Sequence, residues 1–139
     1  MEQIKSDITY PESGEVILID KDLNWTSFNV VKKVKVVLSN KYGLKKLKVG
    51  HAGTLDPLAT GLVIICTGKQ TKKIETYQAK EKEYLAEITL GSTTPSFDLE
   101  TEADQNYPFE HIKQQDVLEA LKGFQGEQLQ VPPLFSAKS

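Results

Sequence analysis

The 139-residue sequence predicts an α+β fold, a mixed and largely antiparallel sheet with flanking helices. Three observations carry that expectation. Short β-branched runs, at 16–19 and 62–67, alternate with segments of helical period. Residues 83–90 alternate strictly, with Tyr84, Ala86, Ile88 and Leu90 on one side and Leu85, Glu87 and Thr89 on the other, the pattern of a strand with two different faces. Clusters of turn residues separate these segments, and no internal repeat or low-complexity stretch interrupts them.

Residues 1–13 are polar, with an early Pro11, and are expected to form a flexible tail preceding one domain over 14–139. Val16 to Ile19, flanked by charge, reads as a buried strand, and Asp20 to Thr26 as a loop. From Ser27 to Leu38 the apolar side chains Val30, Val31, Val34, Val37 and Leu38 share one helical face, with Thr26 or Ser27 available as N-cap and Lys32, Lys33 and Lys35 on the other face. Residues 40–61 hold four glycines and a proline with little periodicity, so they form a long functional loop with room for short strands. Leu62 to Thr67 is a second buried strand. A short helix is expected over 68–78, a strand over 83–90 stopped by Gly91, a turn-rich acidic stretch over 92–108, a helix over 115–121 stopped by Gly123, and a strand over 127–131. The final VPPLFSAKS is apolar and proline-rich, unlike the polar tail that usually finishes a domain, and is expected to lie inside a fold that continues.

Hydrophobic residues make up 39% and charged residues 26%, the composition of one soluble domain able to bury a core. No apolar run approaches the roughly 20 residues that span a bilayer, and the N-terminus lacks the basic-then-apolar layout of a signal peptide, so a cytoplasmic location is the default expectation. The single Cys66 sits in an apolar run and reads as a buried core thiol; no Cys/His cluster has zinc spacing. A net charge of −2 by itself argues weakly against a nucleic-acid partner, but the uneven distribution of charge changes that picture. Seven lysines and no acid lie between Lys32 and Lys48, whereas 81–110 is dominated by Asp and Glu, so one face is either a basic binding surface or a lysine-coated solvent face. All 17 cationic residues are lysine.

Chemistry is concentrated in Gly50-His51-Ala52-Gly53-Thr54-Leu55-Asp56-Pro57-Leu58-Ala59-Thr60-Gly61. Glycines at 50, 53 and 61 permit backbone conformations that side chains would block, and Pro57 biases Asp56 away from helical geometry toward a bend. Taken by residue type alone, Gly-Thr before Asp-Pro serves most often as a turn or helix start, and a lone histidine is usually structural.

Taken whole, the segment resembles the H-A-G-T-L-D-P-x-A-x-G signature of the TruB family of pseudouridine synthases, with every fixed position filled. Leu18 to Ser27 resembles the family's opening L-x-D-K-P-x-G-x-T-S, with Asp22 and Asn24 in place of the proline and glycine, a change that loosens the loop. Glu83 to Gly91 resembles its K-x-Y-x-x-x-x-x-L-G strand, and Thr94 to Asp98 falls where the family has T-x-T-x-D. Gln130 to Lys138 resembles its Q-x-P-P-x-[YF]-S-A-x-K. The resemblance runs from about residue 14 to 138.

The resemblance implies a pseudouridine-synthase-like fold, truncated before it is complete, and isomerisation of a uridine in the T loop of tRNA, at the position numbered 55 in tRNA. Breaking the C1′–N1 bond and rejoining through C5 needs a group that adds covalently or removes a proton, which a carboxylate does without metal or organic cofactor. Asp56 takes that part by resemblance, and attack at C6 or at C1′ remains open. Tyr84 would stack on the flipped uracil, or else is an ordinary strand tyrosine. His51 would help rearrange the loop nucleotides; Lys45, Lys46 and Lys48 would contact phosphates, and Lys21 and Thr54 complete the expected RNA contacts. The expected partner is the tRNA T stem-loop, with no membrane and no small-molecule cofactor; the oligomeric state is not fixed, a monomer being the default. Family members carry a catalytic arginine on a later strand, and this chain has none, so the chain by itself is expected to be inactive. A non-catalytic RNA-binding module with the same fold and an unrelated aspartate-nucleophile hydrolase are the other classes, the latter lacking a second carboxylate or metal cluster near Asp56.

Overall fold

Side-chain parity along the first strand decides how the chain builds its core. In the computed structural model, which describes residues 9–129 and 131, β1 (Val16–Lys21), β2 (Val49–His51) and β3 (Gly61–Thr67) form one antiparallel sheet in the order β1-β3-β2. Val16 pairs with Cys66 and Lys21 with Gly61 on one side of β3; Val49 pairs with Thr67 and His51 with Ile65 on the other. Alternate residues therefore share a face: Ile17, Ile19 and Lys21 on β1 lie on the same side as Val63 and Ile65 on β3. Helix α1 (Ser27–Tyr42) covers that face, and Val30, Val31, Val63 and Ile65 form the buried cluster against which Ile17, Ile19, Val34, Val49 and Leu55 pack. The opposite face leaves Leu18 and Leu62 largely exposed, so β1 is half-buried rather than buried as predicted.

Helix α1 begins where expected but runs four residues past Leu38, because nothing in Ser39 to Tyr42 breaks it before Gly43 adopts the left-handed conformation, φ 63°, and its N–H returns to the Ser39 carbonyl. Of the predicted apolar face, Val30 and Val31 are buried while Val37 is exposed. The expected helix over 68–78 splits into a 3₁₀ turn (Gly68–Lys73) and a short α2 (Ile74–Gln78). Residues 9–13, expected as part of a loose tail, dock on this body: the Tyr10 hydroxyl hydrogen-bonds Thr67 Oγ1, and its ring meets Tyr42 edge-on at 5.2 Å. Gly14 makes that approach feasible, since at φ 73° a Cβ would lie 2.0 Å from the Thr67 carbonyl oxygen. Residues 1–8 lie outside the described residues.

The chain divides into two units, and all of the above belongs to the first, Met1–Glu83. The second, Tyr84–Lys138, contains the two-residue ladder β4 (Ser92–Thr93) with β5 (Gln105–Asn106) and helix α3 (Gln114–Lys122). Helix α3 matches its expected place, but Val117, Leu118 and Leu121 stay one-third to one-half exposed. Two predicted strands require correction. Residues 83–90 are irregular, with Leu85 and Ile88 exposed, and so are 127–129 and 131, residue 130 lying outside the described set. Alternation supplies two distinct faces, but a strand exists only when its N–H and C=O groups meet another strand, and among the described residues these segments meet none. Among the described residues both sheets are antiparallel and occur together with helices, which places the chain in the α+β class.

Candidate active site

Asp56 lies in the loop 52–60 that joins β2 to β3, neighbours in the sheet, so the segment is a long hairpin loop anchored at both ends by the ladder. The Ala59 N–H donates to the Asp56 carbonyl at 3.0 Å, closing a turn with Pro57 in the position whose φ the pyrrolidine ring presets. Asp56 is exposed and outside regular structure, as its place before Pro57 predicts.

Both neighbours of Asp56 are fastened to the connection between β1 and α1. Thr26 is the N-cap of α1, its hydroxyl accepting from Asn29 N–H at 3.0 Å, which leaves the Ser27 hydroxyl free for other use. Ser27 Oγ accepts from the Leu55 N–H at 2.9 Å and donates to the Leu55 carbonyl at 3.1 Å, while the Leu55 side chain packs on the core. On the other side, the Pro57 carbonyl accepts from the Asn24 N–H at 2.8 Å and from the Lys21 ammonium at 3.4 Å. Asn24 stands at φ 64°, the left-handed region that asparagine tolerates better than most residues. The substitution expected to loosen this loop therefore keeps the conformation a glycine would supply.

Lys21, expected among the RNA contacts, is 1% exposed. Its ammonium donates to the carbonyls of Asp22 at 3.0 Å and Trp25 at 2.7 Å as well as to Pro57, which uses all three of its hydrogens and leaves none for a phosphate. Lys21 is therefore part of the loop's frame, a correction that follows from strand parity: position 21 falls on the core face of β1. Burial pulls its pKa below the ordinary lysine value, and the negative charges of Asp22 and then Asp56 oppose that pull.

His51 closes β2, and its Nδ1 lies 2.7 Å from the Gly53 carbonyl oxygen. A carbonyl only accepts, so Nδ1 carries the hydrogen and the neutral ring keeps its lone pair on Nε2. Gly53 holds φ 97°, a conformation that side chains disfavour, and so aims its carbonyl back at the ring. Thr54, Lys45, Lys46 and Lys48 are exposed, and the buried Leu47 between the lysines pins their segment to the body. Cys66 is fully buried, and burial raises its thiol pKa, in keeping with a core role.

Tyr84 belongs to the second unit, in the irregular stretch after Glu83, with its side chain exposed. In that unit Asp98 Oδ1 accepts from Ser96 Oγ at 2.6 Å and from the Glu100 N–H at 2.9 Å, so this carboxylate organises a turn in which Phe97 stands at φ 62°. Ser27 and Asn24 were missed as parts of the site. Their signal was present in the stretch 18–27, where a helix-start serine and a turn asparagine are the bland readings of the same residues.

A model of the TruB family pseudouridylate synthase N-terminal domain matches residues 40–139. Among curated proteins, the chain is 60% identical over 126 residues to the tRNA pseudouridine synthase B of Phocaeicola vulgatus, covering 91% of this chain and 54% of that protein. It is 59% identical over 125 residues to the enzyme of the same name from Flavobacterium johnsoniae, 89% and 55% of the two chains, and 56% identical over 125 residues to that of Parabacteroides distasonis, 90% and 53%. The chain thus spans about half the length of the curated relatives it matches.

Proposed function

Because the chain belongs to the TruB family of pseudouridylate synthases, we propose that its protein isomerises a uridine in the T loop of tRNA, the one numbered 55, to pseudouridine, with Asp56 as the group that attacks the nucleoside. The observation that carries this reading is the exposed Asp56 carboxylate on a loop whose flanking residues, Leu55 and Pro57, are both hydrogen-bonded to the β1–α1 connection. A nucleophile gains from such fixation because the cost of orienting it is met in folding rather than at each turnover.

The target base must leave its stack to reach Asp56. In this proposal the Tyr84 ring receives the extruded uracil, and the Nε2 side of the half-buried His51, with Thr54, faces the nucleotides left behind. Lys45, Lys46 and Lys48 contact phosphates and set the register without reading sequence. The carboxylate supplies the covalent or proton-transfer step without a cofactor. The relatives' printed name, tRNA pseudouridine synthase B, supports the substrate class, and a cytoplasmic site of action accords with it. No helix of the described residues is long and apolar enough to cross a membrane.

The test is to assay full-length protein on a T-arm hairpin, wild type beside Asp56→Asn, reading pseudouridine by nucleoside mass spectrometry. Product from wild type and none from Asp56→Asn, with hairpin binding retained by both, is the expected result. Product from Asp56→Asn at the wild-type rate overturns the assignment of Asp56; absence of product from wild type overturns the activity. The 139-residue chain, which contains no arginine to pair with Asp56, is expected to form no product in the same assay.

A further inference from the structure

We infer that Ser27 is a positioning residue for the reaction at Asp56, acting through both backbone polar groups of Leu55. This rests on the function proposed for Asp56. Four observations place it. Ser27 is 2% exposed, so water does not compete for its hydroxyl. That hydroxyl makes a reciprocal pair with one residue, accepting from Leu55 N–H at 2.9 Å and donating to Leu55 C=O at 3.1 Å. Helix capping is already performed by Thr26, so the Ser27 side chain has no second task at the start of α1. Finally, the Leu55 side chain packs on the core cluster, so the residue before the carboxylate is held through its side chain, its N–H and its C=O together.

The consequence is specific to the chemistry. The Leu55 carbonyl and the Asp56 nitrogen belong to one peptide plane. Fixing Leu55 therefore fixes the position of the Asp56 Cα and the direction of its N–Cα bond, about which the side chain is set. On the far side, Pro57 is fixed by Asn24 and Lys21. Removing the Ser27 hydroxyl leaves the core packing of Leu55 in place but frees its peptide to rotate, which misplaces the carboxylate by a fraction of an ångström to an ångström. Misplacement on that scale lowers the rate of a step that depends on alignment by roughly 10²-fold, while contacts that bind RNA elsewhere are unchanged.

The experiment compares wild type, Ser27→Ala, Ser27→Cys and Asp56→Asn in the full-length protein. It reads the single-turnover rate on a T-arm hairpin at saturating protein, the hairpin Kd, and the folded fraction by circular dichroism at the assay temperature. For a folded Ser27→Ala the expected result is a rate about 10²-fold below wild type with Kd within about threefold. Ser27→Cys, whose thiol is a weaker donor and acceptor, is expected to fall between. A rate within threefold of wild type in folded Ser27→Ala overturns the inference, and so does a loss of rate that only follows the folded fraction. Should Ser27→Ala not fold, Ser27→Cys decides by the same split between rate and Kd. Failure of the underlying function appears elsewhere, as no product from wild type or full activity in Asp56→Asn, and the inference then falls with it.

Discussion

The backbone N–H of Asn24 donates to the carbonyl of Pro57 at 2.8 Å, from a residue whose φ is 64°. This couples a turn conformation to the position of the loop bearing Asp56, and it does so with a residue other than glycine. Replacement by alanine, which lacks the side-chain chemistry that eases this conformation, is expected to cost about 1–2 kcal/mol. Asn24→Gly is expected to stay within about 0.5 kcal/mol of wild type, because strain relief offsets added freedom in the unfolded chain. Urea unfolding of both variants checks this, and equal loss from the two would refute it.

Lys21 is expected to contribute to stability rather than to RNA affinity. Lys21→Met leaves the carbonyls of Asp22, Trp25 and Pro57 without their shared donor and should destabilise the protein by about 1–3 kcal/mol. The effect has a pH dependence of definite sign. Burial holds the Lys21 pKa below 10.5 in the folded protein. Between that lowered value and 10.5 the unfolded chain keeps a proton that the folded protein has released, so stability rises with pH across the window. The advantage of wild type over Lys21→Met should therefore grow as pH climbs toward 10.5 and then level off. An advantage that shrinks over that range contradicts the burial of a charged amine.

For His51, the Gly53 carbonyl selects the tautomer with hydrogen on Nδ1. Nitrogen-15 NMR of the neutral ring should show a protonated Nδ1 and an unprotonated Nε2, the reverse of the form favoured by free imidazole side chains. A protonated Nε2 in the neutral ring would mean that the Gly53 contact does not persist in solution.

Lys45, Lys46 and Lys48 are exposed around the buried Leu47. If each contacts one phosphate, changing all three to alanine should flatten the dependence of log K on log salt by roughly 2 to 3 and weaken hairpin binding. The rate at saturating RNA should stay within about twofold, since these groups position the RNA without touching the reacting atoms. An unchanged salt slope would return these lysines to the role of a solvated face.

Much of the first unit was legible before any coordinate. The period of Val30, Val31 and Val34 located α1, the β-branched runs located β1 and β3, and the unbroken match from His51 to Gly61 marked the candidate site. These are local signals, because helical period, turn chemistry and a contiguous motif are written into neighbouring residues. The alternation of 83–90 is local too, yet it yielded no strand, because a ladder needs a second segment whose identity no local pattern states.

By itself the sequence determined which carboxylate sits in a glycine-and-proline frame, which family that frame resembles, and where the lysines gather. Only the tertiary structure decided what holds the frame. Ser27 and Leu55 lie 28 residues apart and Lys21 and Pro57 lie 36 apart, so their pairing follows from the antiparallel register that returns β3 beside β1. The same register turned Lys21 from an expected RNA contact into an interior strut, since the face on which a strand residue falls is set by its partner across the ladder and by what covers that face.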